Sequence, residues 1–237
     1  MNEPENSGQQ VGSHTGFIGF FDLLGYKEFV RNNQVKEVVQ KVGDILLECQ
    51  RSQEQNEKLE CLFDEDICEH VIFSDTILIY SNTTSQASAT LFTCFCASLV
   101  NGLFWEGFPV RGALAAGEFY VGPKPGSISL AGVPIVEAHE VEECVDFAGC
   151  VLAPSAEPFL NQKCFPYDVP MKKRFQKQRL FALNALSYSD DDREISRQVV
   201  LDKFGAHNKR VGVEVVPKIT NTIAFLEACK REACRTP

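Results

Sequence analysis

Phe17-Ile18-Gly19-Phe20-Phe21-Asp22-Leu23-Leu24-Gly25-Tyr26 decides how the rest of the chain is read. The stretch is rich in β-forming residues and closes on a glycine, which predicts an apolar strand running into a turn. A carboxylate inside such a strand needs a reason, because a buried charge is costly without a partner. The same exception recurs at Asp75 in Val71-Ile72-Phe73-Ser74-Asp75-Thr76-Ile77-Leu78-Ile79-Tyr80, which reads as two short strands with a turn at Ser74-Asp75. Two misplaced carboxylates suggest one shared ion. With a few backbone oxygens they would suit Mg²⁺ or Mn²⁺ on a triphosphate, so phosphoryl chemistry is the first hypothesis.

Between the two motifs, Val35, Val38, Val39, Val42, Ile45, Leu46 and Cys49 fall at helical spacing and predict a helix over 34–50. Leu91, Phe95, Leu99 and Val100 predict another over 86–104. Residues 109–116 then read as a buried strand whose single charge is Arg111, continuing past a bulge to Val121. A Gly/Pro turn leads to a strand over 127–131, and Gly132-Val133-Pro134 opens a helix that runs to Cys144. Strands over 149–153, 165–170 and 179–186 follow, with a basic loop, Lys172 to Lys177, between the last two. That order predicts an α+β fold with a ferredoxin-like βαββαβ core and extra strands. Residues 1–15 are polar and read as a disordered lead-in that is neither a signal nor a transit peptide. The main domain is expected over 16–186, and residues 187–237, with two further helices, form a C-terminal helical extension packing on it.

The 237-residue chain carries a net charge of −9, which argues against a non-specific nucleic-acid binder. No apolar run reaches the roughly 18 to 20 residues needed to span a bilayer, so no membrane partner is expected and the localisation is read as cytoplasmic. Ten cysteines include no Cys-x-x-Cys pair and read as buried thiols of a reducing compartment, with no zinc signature.

These motifs carry a resemblance. Phe20-Phe21-Asp22-Leu23-Leu24-Gly25-Tyr26 is similar to the first metal motif of class III nucleotidyl cyclases, and Ser74-Asp75-Thr76 to the second. Val110-Arg111-Gly112-Ala113-Leu114-Ala115-Ala116-Gly117 resembles the strand that follows, and Gly132-Val133-Pro134-Ile135-Val136-Glu137-Ala138 the opening of the catalytic helix. The likeness covers about residues 17–186 and is nearest to the pyrimidine cyclases of bacterial Pycsar antiphage defence. It implies a homodimer with composite active sites, and two Mn²⁺ or Mg²⁺ ions bridged by Asp22 and Asp75 with the Leu23 carbonyl as a further ligand. It implies conversion of UTP to 3′,5′-cyclic UMP and pyrophosphate, and a separate effector protein that binds the cyclic nucleotide. Cyclic CMP from CTP is the alternative product, and a catalytically silent nucleotide-binding module the alternative class.

The resemblance also distributes the site. Backbone amides after Asp22 would face the phosphates, and Phe20, Leu23, Leu24 and Gly25 would line the substrate. Arg111 would be a catalytic cation on the phosphates, joined by Lys172 or Lys173. The positions at which purine cyclases read the base fall on Val71 and Ser129, and an apolar Val71 cannot supply a purine's hydrogen bonds. Val136 and Glu140 stand where the family carries its helix Asn and Arg. Structural readings stand beside these. Asp22 would cap a helix beginning near Gly25, and Asp75 would be a turn residue. Arg111 would pair with Glu118 or Glu137, and Glu137, Glu140, Glu142 and Glu143 would occupy a solvated helix face. The basic loop would be solvated, and His70 and His139 would be surface or satisfied core residues.

Overall fold

The computed structural model describes residues 12–33, 35–54, 68–124, 127–172, 177–185 and 195–235. Strand β1 (Gly12–Leu23) is followed by helices α1 (Tyr26–Asn32) and α2 (Val35–Glu54), the hairpin β2 (Glu69–Phe73) and β3 (Thr76–Tyr80), and α3 (Gln86–Trp105). The long β4 (Val110–Lys124) turns into β5 (Ser127–Gly132), then α4 (Val133–Cys144), β6 (Gly149–Leu152), β7 (Cys164–Pro170) and β8 (Lys177–Leu183). The chain closes with α5 (Arg197–Gly205) and α6 (Val216–Ala233). β1 starts at Gly12, so residues 12–15, expected in the lead-in, belong to the sheet. β4 continues through Gly117 as expected and runs on to Lys124, and its register against β1 passes Gly117 without the expected bulge.

The sheet runs β2-β3-β1-β4-β6-β8-β7, with β5 added as a hairpin on β4. Its first four strands have the 2-3-1-4 order of a ferredoxin-like core, and only β4 and β6 pair in parallel among the described strands. Alternation along β1 explains the layers. Phe17, Phe21 and Leu23 enter the cluster built with α2 and α3, whereas Ile18 enters the one built with α4, α5 and α6. Asp22, two residues on from Phe20, faces the α4 side. Gly112 is required by this packing, since a Cβ there would lie 2.9 Å from the Phe20 carbonyl oxygen and inside the Phe21 ring.

α3 is long and apolar enough to cross a membrane, yet about 67% of its most apolar window is buried within the fold, as expected of a core helix. α6 docks through Ile219, Phe225, Leu226 and Cys229 on the apolar side and through Thr222, whose hydroxyl accepts a hydrogen bond from the Ala148 amide at 2.8 Å. Cys49, Cys68, Cys96, Cys150 and Cys229 are buried, and burial pushes the Cys49 thiol up to about 12.

Candidate metal and nucleotide site

Register across the sheet assembles the site. Asp22 lies between Thr76 of β3 and Arg111 of β4. The row beside it runs Val71, Leu78, Phe20 and Ala113 across four strands. Residues on both rows point to the α4 side, giving a charged line at Asp22 and Arg111 next to an apolar floor at Val71, Leu78 and Phe20.

Asp75 reaches Asp22 through the turn. Ser74 has φ 59° while Asp75 does not share that sign, the pattern of a II′ hairpin turn made without glycine. The turn is tied to β1 by the Leu23 amide, which donates to the Asp75 carbonyl at 2.8 Å. Burial raises the Asp22 pKa above the usual carboxylate range, Arg111 opposes that rise, and Asp75 adds to it as a like charge and a hydrogen-bond partner. Two carboxyls repelling at close range are what a divalent ion would relieve. Among the described residues no group of three or more His, Cys, Asp or Glu is arranged for a metal. An ion here would therefore rest on these two carboxylates with backbone oxygen, a donor set suited to Mg²⁺ or Mn²⁺.

Arg111 is committed to carboxylates. Its Nε and Nη2 donate to Asp22 Oδ2 at 3.1 and 2.8 Å, and Nε also faces Glu142 Oε1 in an ion pair. Glu142 projects from α4 and is 1% exposed, so the expected solvated helix face does not hold at this position. Burial pushes its pKa up to about 7, against the pull of Arg111 and with the push of Asp22 and Glu143. Neither Glu118 nor Glu137 pairs with Arg111 among the described contacts. Glu118 accepts from the Ser13 hydroxyl and Glu137 from the Ser155 amide. His139, 3.7 Å from Glu142 Oε2, stacks on Phe20 with ring centroids 4.9 Å apart.

The amides of Leu23 and Leu24 are occupied, the second donating to the Pro109 carbonyl at 2.8 Å. They are not free to face phosphates as expected, and a cradle would begin at Gly25, whose φ of 79° turns the chain into α1. Asp22 does not cap α1, since Gly25 is its N-cap residue. Val71 is half-buried on the floor. Ser129 is exposed opposite Gly122, eleven positions along β4 from Arg111 and so roughly 35 Å away. Lys172 is exposed, with its amide donating to the Cys144 carbonyl at the end of α4, and Lys173 lies outside the described residues. Val136 and Glu140 are exposed on α4.

No protein-family model and no curated protein matches the chain. Among solved structures it is similar to the catalytic core of a rhodopsin-guanylyl cyclase with converted specificity in complex with ATPalphaS. That match has 14% identity and a TM-score of 0.51 over 73% of this chain and 98% of the other. It is similar also to a dimeric guanylyl cyclase domain of the RhoGC fusion protein from the aquatic fungus Blastocladiella emersonii, at 14% identity and TM-score 0.50 over 72% and 96%. The fold is that of the class III nucleotidyl cyclase catalytic domains.

Proposed function

We propose that this chain is a Mn²⁺- or Mg²⁺-dependent nucleotidyl cyclase that closes UTP to 3′,5′-cyclic UMP and pyrophosphate. The observation that carries the reading is the convergence of Asp22 on strand β1 and Asp75 in the β2–β3 turn, 53 positions apart, beside an apolar floor. Asp22, Asp75 and the Leu23 carbonyl would hold the ions, which when bound supply activation of the ribose 3′-oxygen and neutralisation of the leaving pyrophosphate. The 3′-oxygen forms the new bond to the α-phosphorus, its proton leaves, and the bond from that phosphorus to pyrophosphate breaks. Arg111 orients Asp22, and Val71 with Leu78 and Phe20 offers a base a flat apolar surface without the donors a purine edge demands.

A homodimer would complete the site. Tyr120, Val133 and Val136 are exposed apolar side chains bordering the β4–β5 hairpin and the start of α4, and a second copy would cover them and bring its Ser129 and α4 to the open floor. Release of the cyclic nucleotide to a binding effector, as in antiphage signalling, follows from the resemblance of the motifs. Val136 and Glu140, where the family carries Asn and Arg, favour the second reading of a silent nucleotide-binding module.

Incubating the pure protein with each labelled nucleoside triphosphate and Mn²⁺, then resolving products by chromatography, tests this. Cyclic UMP as main product is expected. Cyclic CMP would transfer the assignment to cytosine, a cyclic purine would overturn the pyrimidine reading, and no product with retained binding would favour the silent module.

A further inference from the structure

Helix α4 carries one side chain at the site that the metal-binding residues do not use. His139 projects from the face that also bears Ala138 and Glu142, both buried, so it points at the sheet. Its imidazole lies on the Phe20 ring with centroids 4.9 Å apart and planes 20° from parallel, yet its side chain is 51% exposed. α4 packs chiefly on β4 and β1, whereas Val71 and Leu78 belong to β2 and β3, the next strands out. The stacked pair is therefore a wall at the border of the covered sheet, with the half-buried Val71 and Leu78 as the floor beside it.

The two ring nitrogens of His139 have different surroundings. Nδ1 lies 3.7 Å from Glu142 Oε2, and a carboxylate at that distance draws the ring proton to Nδ1. Nε2 is then an acceptor, and no described hydrogen bond engages it. An apolar side chain would fill the space over Phe20 equally well. What histidine adds is one acceptor at the rim of an apolar floor. The place suits a base: Asp22 is two residues on from Phe20 in β1, roughly 7 Å along the strand, and one ribose spans that interval between a phosphate at Asp22 and a base beside Phe20.

We infer that His139 is a specificity-determining residue of the nucleotide site, whose Nε2 accepts a hydrogen bond from the N3–H of a uracil lying on Val71 and Leu78. This rests on the cyclase reading above and supplies the choice of base that the apolar floor leaves open. Uracil presents N3–H between two carbonyls, whereas cytosine presents a bare N3 whose lone pair would meet that of Nε2. Two acceptors face to face lose the hydrogen bond and the solvation of both. A second copy in a homodimer carries the same wall and floor, so substitution removes the acceptor from every site.

Binding to the full chain is measured by titration calorimetry with Mg²⁺. The ligands are the α,β-methylene analogues of UTP and CTP, which cannot release pyrophosphate, and tripolyphosphate, which has no base. The wild type should favour the uridine analogue over the cytidine one. His139→Phe keeps the stack on Phe20 and loses the acceptor, so it should reduce that preference about tenfold and leave tripolyphosphate affinity unchanged. His139→Gln, whose amide oxygen accepts, should retain most of the preference. Should His139→Phe fail to fold, His139→Ala decides. An undiminished preference in His139→Phe, or a loss shared equally with tripolyphosphate, overturns the inference and leaves the cyclase reading standing. A wild type that favours the cytidine analogue, or neither, overturns it together with the uridylate assignment. Wild-type protein that binds none of the three ligands overturns the cyclase reading itself, and this inference with it.

Discussion

Glu142 of α4 and Asp22 of β1 both meet the guanidinium of Arg111 and share its Nε, so a single cation joins helix and strand. With side-chain exposures of 14% and 2%, Arg111 and Glu142 form a pair whose rupture leaves a charge stranded. Arg111→Met is expected to cost about 3 kcal/mol of stability, read by chemical denaturation. Arg111→Lys should recover part of that loss and little of the turnover, since a point charge cannot fork between two carboxylates. A variant as stable as the wild type would show that the pair contributes nothing.

The pH dependence of stability should carry the mark of Glu142. Its folded pKa of about 7 lies above the ordinary 4.5, so in that window the folded state binds the proton more tightly than the unfolded chain. Stability from this group is therefore fully present below 4.5 and is lost as pH rises towards 7. In Glu142→Gln, measured with chelator present, the decline over that window should be shallower than in the wild type. Parallel pH profiles would contradict the burial argument.

Asp75→Asn separates chemistry from folding. Asn satisfies the same turn, and removing one of two repelling carboxylates relieves Asp22. Melting should occur at or above the wild-type temperature, while Mn²⁺-dependent formation of cyclic nucleotide falls more than about a hundredfold. Activity near the wild-type level would remove Asp75 from the metal site.

Val133→Glu addresses assembly. Val133 is 77% exposed, so a charge there costs the isolated subunit little, whereas two copies meeting across this surface would bury it. Sedimentation velocity should show a shift from dimer to monomer with unchanged thermal stability and lost turnover. A monomeric wild type with full activity would rule out the composite site.

Much of this was legible in the residues. Asp22 and Asp75 stand out because each interrupts an apolar alternation, and the lone charge at Arg111 does the same in β4. Glu142 carried an equal signal in another period: Pro134, Ala138 and Glu142 recur every four residues, so the glutamate continues the buried stripe of α4. The occupied amides of Leu23 and Leu24 were not legible, because their partners, Asp75 and Pro109, come from turns whose approach depends on the whole sheet.

β4 and β6 pair in parallel, and such a pair needs the α4 crossover completed before its ladder can form. Asp22, Arg111 and Glu142 are thus contributed by successive quarters of the chain, and the loops between them must close before these contacts form, which slows folding. On a ribosome, β1 and the β2–β3 hairpin would wait with both aspartates unpaired until the later segments emerge. The same separation in sequence that gathers the charged line on the sheet makes its completion a late event in the life of each new molecule.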